Sequence, residues 1–432
     1  MDSIIVNGGT ELSGSIKISG AKNAALPIMA ASLLTPEEIT INNVPSLIDI
    51  ETMHQLLTNH GALSKWSNKE EVKIKAQNID NKVAPYDIVR KMRASIWALG
   101  PLLARFGHAE VSMPGGCAIG ARLVDQHVSA MEALGAEVKT ENGYIKAKCR
   151  QRLQGANFHF SKVSVGATIN ALLASTLAEG ESIFTNCACE PEIIDLANFL
   201  NKMGADISGI GTNRLIIKGK KELGGAKHSL IADRIEAGTY IAAVASAGGE
   251  LIIENIDYKY LINAIEQFKK IGLDITKLES NLNHTNISSD KIKVKKTDII
   301  LAADMETKPY PGFPTDLQAQ YMAAVLKANG TSIITENIFE NRFMHVPELV
   351  RMGADVKIDG HTAVVKGVSN LSGAEVMASD LRASSSLIIA AMGSSGISKI
   401  RRIYHLDRGY EKIEEKLQNC GIDIKREHGD KI

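Results

Sequence analysis

Apolar and polar positions along the chain follow one arrangement that recurs six times. Six segments open on a polar, charged or very small residue and run into a stretch rich in alanine, leucine and isoleucine. They begin at Gly20-Ala21-Lys22-Asn23, Met92-Arg93-Ala94-Ser95, Ser164-Val165-Gly166-Ala167, Ile235-Glu236-Ala237-Gly238, Thr315-Asp316-Leu317-Gln318 and Leu381-Arg382-Ala383-Ser384. A helix that is apolar nearly all round, as Ile96–Leu103 and Leu387–Met392 would be, must be buried on every side. Each run leads into a short β-type segment, a turn and a second, amphipathic helix such as Tyr410–Leu417. A glycine then reads as the stop of that second helix. These glycines are Gly61, Gly135, Gly204, Gly272, Gly353 and Gly421, spaced by roughly 70 residues. Strands such as Ser15–Ser19, Val72–Lys75, Tyr144–Lys148 and Lys291–Lys295 alternate, so each has one buried and one wet face. The pattern predicts helices inside and sheets outside, the reverse of an ordinary parallel α/β fold. Six units divide into two domains of three, with the boundary around Leu230 to Arg234 and no Gly/Ser-rich linker to mark it.

Composition narrows the function. A chain of 432 residues exceeds one typical core and fits two or three domains. With 49 basic and 49 acidic residues the formal net charge is zero, which argues against nucleic-acid binding through a general basic surface. An anionic ligand would instead need a local cluster of cations. Met1–Gly9 lacks the basic region and apolar core of a signal peptide, and no apolar run approaches the length of a membrane span. The five cysteines, Cys117, Cys149, Cys187, Cys189 and Cys420, are an odd, sparse set that fits a reducing cytoplasm. Cys187-Ala188-Cys189 has no second pair at finger-like spacing, so no zinc site follows. A cytoplasmic protein without membrane insertion, metal or cofactor is the expectation.

Candidate chemistry gathers at two kinds of place. Pro114–Arg122 packs three glycines, one thiol and one guanidinium into nine residues. Cys117 there is either buried filler in an ordinary turn or a reactive thiol, favoured by free backbone amides and by Arg122. The other place is the start of each apolar helix, where Lys22-Asn23, Arg93, Ser164 with Gly166, Glu236, Asp316 and Arg382 recur at equivalent positions. Helix N-termini carry unsatisfied N–H groups and positive dipole ends, so six of them with Lys22, Arg93, Arg122 and Arg382 would favour an anion. Asp316 is the odd carboxylate of the set. It reads either as a helix cap or as a general base held near bound anions.

Ser19–Pro27, Lys91–Pro101, the Cys117 loop, Phe313–Gln320, Ile338–His345 and Arg402–Tyr410 resemble the enolpyruvyl transferase family across essentially the whole chain. Within it they resemble the branch whose acceptor is a UDP-sugar. The resemblance implies a two-domain inside-out α/β barrel of six repeated units. It implies a first domain at 22–231 carrying the Cys117 loop, a second made of 1–21 and 232–432, and an active site in the cleft between them.

The resemblance also implies a reaction and its residues. The enolpyruvyl group of phosphoenolpyruvate moves to the 3-hydroxyl of UDP-N-acetylglucosamine and phosphate leaves, the first committed step of peptidoglycan synthesis. Cys117 matches the proton donor, which also forms a covalent adduct with phosphoenolpyruvate and is alkylated by fosfomycin. Asp316 matches the group that takes the sugar hydroxyl proton, and Lys22, Arg122 and Arg408 match the cations around phosphoenolpyruvate. Asn23 is positioned to bridge both substrates. Arg93, Arg122, Leu123, Val124, Asp125, Gln126, Lys162, Val163, Ser164, Val165, Asp316 and Ile338 match UDP-sugar contacts. Asp380 and Arg382 match a pair that supports the reacting centre, while His127, Glu190, Glu340 and Arg342 fall at family positions that caps or ion pairs also explain. Leu123 stands where many members carry proline, and Ala118 where threonine is frequent. The other branch, which acts on shikimate 3-phosphate, has a Lys-Ser pair where this chain has Lys22-Asn23, and no cysteine in the loop. A repeat-built protein that binds an anion without chemistry would need neither Cys117 nor Asp316.

Overall fold

The structure, a computed structural model, describes residues 2–113, 124–279 and 290–429. Two compact units are present, one built from the residues up to Ser19 and from Ala232 onward, the other lying between Gly20 and Ile231. Each has its own apolar core and three four-stranded sheets.

The six sheets share one topology. A short edge strand runs parallel to its neighbour, and the next two strands follow antiparallel, as in Asn157–His159, Glu181–Thr185, Arg214–Lys218 and Asp206–Ser208. Strict alternation aims one face inward. Ile39 stands opposite Ile74 and Ile41 opposite Val72, and all four are fully buried while the intervening Thr40 and Lys73 face out. The last sheet is completed from the start of the chain. Ser3–Asn7 lies between Ile397–Arg401 and Asp423–Glu427, antiparallel to both.

The apolar runs form the inner helices. Lys22–Ala31, Leu99–Phe106 and Val165–Ser175 belong to one unit, and Arg234–Ala247, Gln318–Val325 and Leu381–Met392 to the other. Every residue of Leu381–Met392 after Leu381 is buried, including three consecutive serines whose hydroxyls donate to carbonyls of the helix's own preceding turn. Two inner helices differ from a continuous α-helix. Arg93–Ala98 and Thr315–Leu317 are 3-10 turns that feed Leu99–Phe106 and Gln318–Val325. In the first case Pro101 has no N–H to offer the carbonyl of Trp97, so a regular α ladder cannot extend back across that turn. Gly100 permits close helix packing there. Its N–H donates to Asn170 Oδ1 at 2.8 Å, and a side chain would meet that same oxygen.

The amphipathic outer helices end as the glycines require. All six stop glycines take positive φ, from 90° to 102°. At Gly353 a Cβ would meet nothing within 4 Å, whereas at Gly367 it would lie 1.7 Å from the Ala328 carbonyl oxygen. We therefore expect Gly353→Ala to lose about 1 kcal/mol, the backbone term alone, and Gly367→Ala about 3 kcal/mol, read from urea midpoints. Equal losses would contradict this account.

Candidate active site

Asp316 sits in the 3-10 turn Thr315–Leu317 that opens an inner helix. Its two carboxylate oxygens are held by different arginines: Arg342 Nη2 donates to Oδ1 at 2.7 Å and Arg382 Nη2 to Oδ2 at 2.9 Å. Both guanidiniums are nearly inaccessible, with side chains 4% and 6% exposed, while the carboxylate keeps 28%, so it is the part of the cluster that a ligand can reach. Burial pushes the Asp316 carboxyl up, but Arg382 and Arg342 outweigh it and hold it well below the usual carboxylate range. Two guanidiniums thus share one carboxylate.

Neighbouring residues fix this clamp. Buried Glu336 accepts from Thr315 Oγ1 at 2.9 Å with one oxygen and from the backbone N–H groups of Ile338 and Phe339 with the other. It thereby ties the exposed Ile338 turn to the residue before Asp316. Gln320 Nε2 donates to the Asp316 carbonyl at 2.9 Å and to Tyr410 Oη at 3.1 Å. Tyr410 Oη also accepts from Arg382 Nη1 at 3.1 Å. Asp380 Oδ1 caps the inner helix by accepting from the N–H groups of Arg382 and Ala383. Asp380 and Arg382 are thus joined through the backbone, and the Arg382 side chain pairs with Asp316 instead. Arg408 ends the 3-10 segment Ile403–Arg408; burial of His405, with the Arg408 charge adding to it, keeps that imidazole below its ordinary value.

The unit between Gly20 and Ile231 carries a second set. Lys22, the first residue of its inner helix, donates to Asp49 Oδ2 at 3.0 Å with both side chains almost fully buried. Lys22 is therefore an ion-paired lysine, with Asp49 offsetting its charge. Asn23 is half-buried beside it. Gln126 Oε1 accepts from the Lys162 N–H at 3.2 Å and from Ser161 Oγ at 3.4 Å. This joins the run Val124, Asp125 and Gln126 to Lys162, Val163, Ser164 and Val165, of which Lys162, Val163 and Val165 are exposed. Arg93 lies near His127, whose Nδ1 accepts from Asn170 Nδ2 at 3.1 Å. Burial, with Arg93 adding to it, pushes His127 down to about 3.

Cys117, Arg122 and Leu123 lie outside the described residues. Of the other cysteines, Cys149, Cys189 and Cys420 are raised by burial and Cys187 is pushed up to about 12, so none is an activated thiol. Three of the six helix starts are closed by the chain itself. Ser164, Asp233 and Asp380 cap their own helices, whereas Ala21, Met92 and Pro314 supply no side-chain cap. At Ser164, Asp233 and Asp380 the cap takes one or two of the N–H groups expected to be free, which leaves fewer for an anion. Glu236 also leaves the candidate set: it is buried against Lys416 at 2.6 Å and accepts from the Ser19 N–H. Asp49, Glu336, Gln320 and Tyr410 were not singled out from sequence, because no local spacing marks a partner that only folding brings close. No group among the described residues could hold a metal ion, and none of their helices is long and apolar enough to cross a membrane.

Solved structures with this architecture are enolpyruvyl transferases. NikO from Streptomyces tendae superposes with a TM-score of 0.87 at 23% identity over 98% of both chains. EPSP synthase from Acinetobacter baumannii gives 0.76 at 17% identity over 99% of this chain and 100% of the other. The profile of the EPSP synthase (3-phosphoshikimate 1-carboxyvinyltransferase) family matches residues 6–417, and the chain belongs to that family. Among curated relatives, proteins named UDP-N-acetylglucosamine 1-carboxyvinyltransferase from Rickettsia bellii (strain OSU 85-389) and Rickettsia africae (strain ESF-5) are each 54% identical over 429 residues, covering 99% of this chain and 100% of theirs.

Stability should depend on pH through the buried imidazoles. His127 is lowered to about 3, and burial, with Arg342 adding to it, brings His345 to about 4. The unfolded chain takes up these protons below about pH 6.5, the folded chain only near the lowered values, so acidification across that window favours unfolding. Asp316 acts later and separately: its depressed pKa contributes stability above about pH 4, lost as pH falls through the folded value. The urea midpoint should therefore fall steadily from about pH 6.5 to 4.5, and the His127→Gln/His345→Gln variant should show a shallower slope. A flat wild-type profile in that window would refute the buried neutral assignment.

Proposed function

We propose that the protein transfers the enolpyruvyl group of phosphoenolpyruvate to the 3-hydroxyl of UDP-N-acetylglucosamine, releasing phosphate, in the cytoplasmic first committed step of peptidoglycan synthesis. The observation that carries this reading is 54% identity along the full length of relatives named for that activity. The family profile bears the name of the shikimate 3-phosphate branch, but identity to its solved members is only 17–18%.

In this reading carbon 3 of phosphoenolpyruvate is protonated and carbon 2 becomes electrophilic. The sugar hydroxyl adds to carbon 2 while its proton passes to a base. Loss of a carbon 3 proton and of phosphate then restores the double bond. Cys117 donates the first proton and forms the covalent adduct, and Asp316 accepts the hydroxyl proton. A carboxylate gripped by two arginines is a weak base at rest. Phosphoenolpyruvate brings a phosphate and a carboxylate near this carboxylate, and that added negative charge raises the proton affinity of Asp316. The substrate itself would thereby switch on its base. Lys22, Arg122 and Arg408 neutralise phosphoenolpyruvate and stabilise the charge that develops on it, which is usually the largest catalytic term. Asn23 bridges the substrates. Arg93, Leu123, Val124, Asp125, Gln126, Lys162, Val163, Ser164, Val165 and Ile338 serve the UDP-sugar, and Asp380 with Arg382 supports the reacting centre.

The test is phosphate release from phosphoenolpyruvate with each acceptor supplied in turn. UDP-N-acetylglucosamine should support turnover and shikimate 3-phosphate should not; release with shikimate 3-phosphate alone, or with neither, overturns the reading. Fosfomycin should add one equivalent of mass at Cys117. The raised thiols of Cys149, Cys187, Cys189 and Cys420 should stay unmodified. Peptide mapping that places the adduct on one of those four would contradict the assignment.

A further inference from the structure

Tyr410 follows Gly409 just beyond the 3-10 segment Ile403–Arg408, and it is 2% exposed. Its hydroxyl lies where the three inner helices of its unit meet. Helix Arg234–Ala247 contributes Thr239 Oγ1 at 2.8 Å, helix Gln318–Val325 contributes Gln320 Nε2 at 3.1 Å, and helix Leu381–Met392 contributes Arg382 Nη1 and Ser385 Oγ, both at 3.1 Å. The donor inventory orders these contacts. Arg382 Nη1 and Gln320 Nε2 can only donate, so they occupy the two lone pairs of the hydroxyl. Its single proton faces Ser385 and Thr239, whose own protons go to the carbonyls of Arg382 and Ile235. A hydroxyl so constrained cannot turn away from Arg382.

Arg382 spends one terminal nitrogen on Tyr410 and the other on Asp316 Oδ2. Gln320 does the same through the backbone, bonding both the Tyr410 hydroxyl and the Asp316 carbonyl. Two independent paths therefore run from one buried oxygen to the residue that accepts the sugar proton. A planar guanidinium anchored at one fork has little freedom at the other. Resting on the reaction proposed above, we infer that Tyr410 is a positioning residue for proton transfer: its hydroxyl sets the orientation of Arg382 and, through it, the pose of the Asp316 carboxylate.

Removing that oxygen has two opposing effects on rate. A loosened Arg382 grip leaves Asp316 more basic, which under Brønsted behaviour returns only part of a factor of ~10 for each unit gained. A carboxylate displaced by about 1 Å from the hydroxyl it must deprotonate costs up to ~100-fold. Misplacement wins.

Tyr410→Phe is the test, since it keeps the buried ring and deletes only the oxygen. With phosphoenolpyruvate and UDP-N-acetylglucosamine, kcat at pH 7 should fall about tenfold or more while KM for phosphoenolpyruvate stays within about threefold. The acid limb of the kcat profile should move to higher pH. A purely structural role would lower the urea midpoint without moving that limb. A second measurement needs no turnover: carboxylate 13C shifts of the ligand-free protein, with Asp316 assigned by its loss in Asp316→Asn. Asp316 should titrate at a higher pH in Tyr410→Phe than in the wild type. Wild-type turnover alone tests the proposed reaction, whereas an unmoved Asp316 titration, or a variant with wild-type kcat, overturns the role of Tyr410.

Discussion

A helix with no polar side has only its two ends to offer to water, and that constraint organises this protein. Because the runs are apolar nearly all round, they cannot lie on a surface; something must cover them on every flank. Alternating strands supply the cover, each sheet turning one apolar face inward. Polar chemistry is then confined to places where an inner helix begins or a turn enters it, and there Lys22, Arg93, Asp316 and Arg382 are found. The same constraint explains why so many of these residues are ion-paired or capped. A charge at the mouth of an apolar core is stable only with a partner.

The Asp316 cluster concentrates ion pairs at one helix start in a protein of zero net charge. Two nearly inaccessible guanidiniums converge on one more accessible carboxylate. Removing either arginine would leave an incompletely compensated charge at the edge of the core, a change that typically costs about 3–5 kcal/mol for a buried pair. The pose of the Asp316 carboxylate is therefore coupled, through the same two ion pairs, to the packing of the three helices on which the cluster rests.

The inner helices and outer strands were legible in the sequence because each depends on a local rule: an unbroken apolar run, a two-residue alternation, a glycine where the chain must turn left-handed. All six stop glycines meet the last requirement. The 3-10 openings at Arg93 and Thr315 were not legible, since apolar content does not distinguish one helical hydrogen-bond ladder from another. Partner choice was legible least of all. Asp316 finds one arginine 26 residues away and another 66 away, while Lys22 is matched by an aspartate on the following outer helix. A second glycine series also escaped notice. Gly155, Gly225 and Gly373 each press against a backbone carbonyl or amide of a neighbouring strand, at 2.3–2.7 Å for an added Cβ, a close approach that the sequence around them does not announce.

The pairing of Ser3 with Glu427 bears on the order in which this chain assembles. The described strands of the three sheets between Gly20 and Ile231 all come from that one stretch of chain, so they can pair while the remainder is still being synthesised. The other unit waits with its first strand already made. Ser3–Asn7 cannot be paired on both edges until Ile397–Arg401 and Asp423–Glu427 have emerged, and closing so long a loop is the slow kind of step in folding. The Asp316 clamp and its three helices stand on this later unit. Vectorial synthesis thus builds an order into the chain: the stretch that carries Lys22 and Arg93 can close its sheets early, and the unit that carries Asp316 is sealed only by Asp423–Glu427.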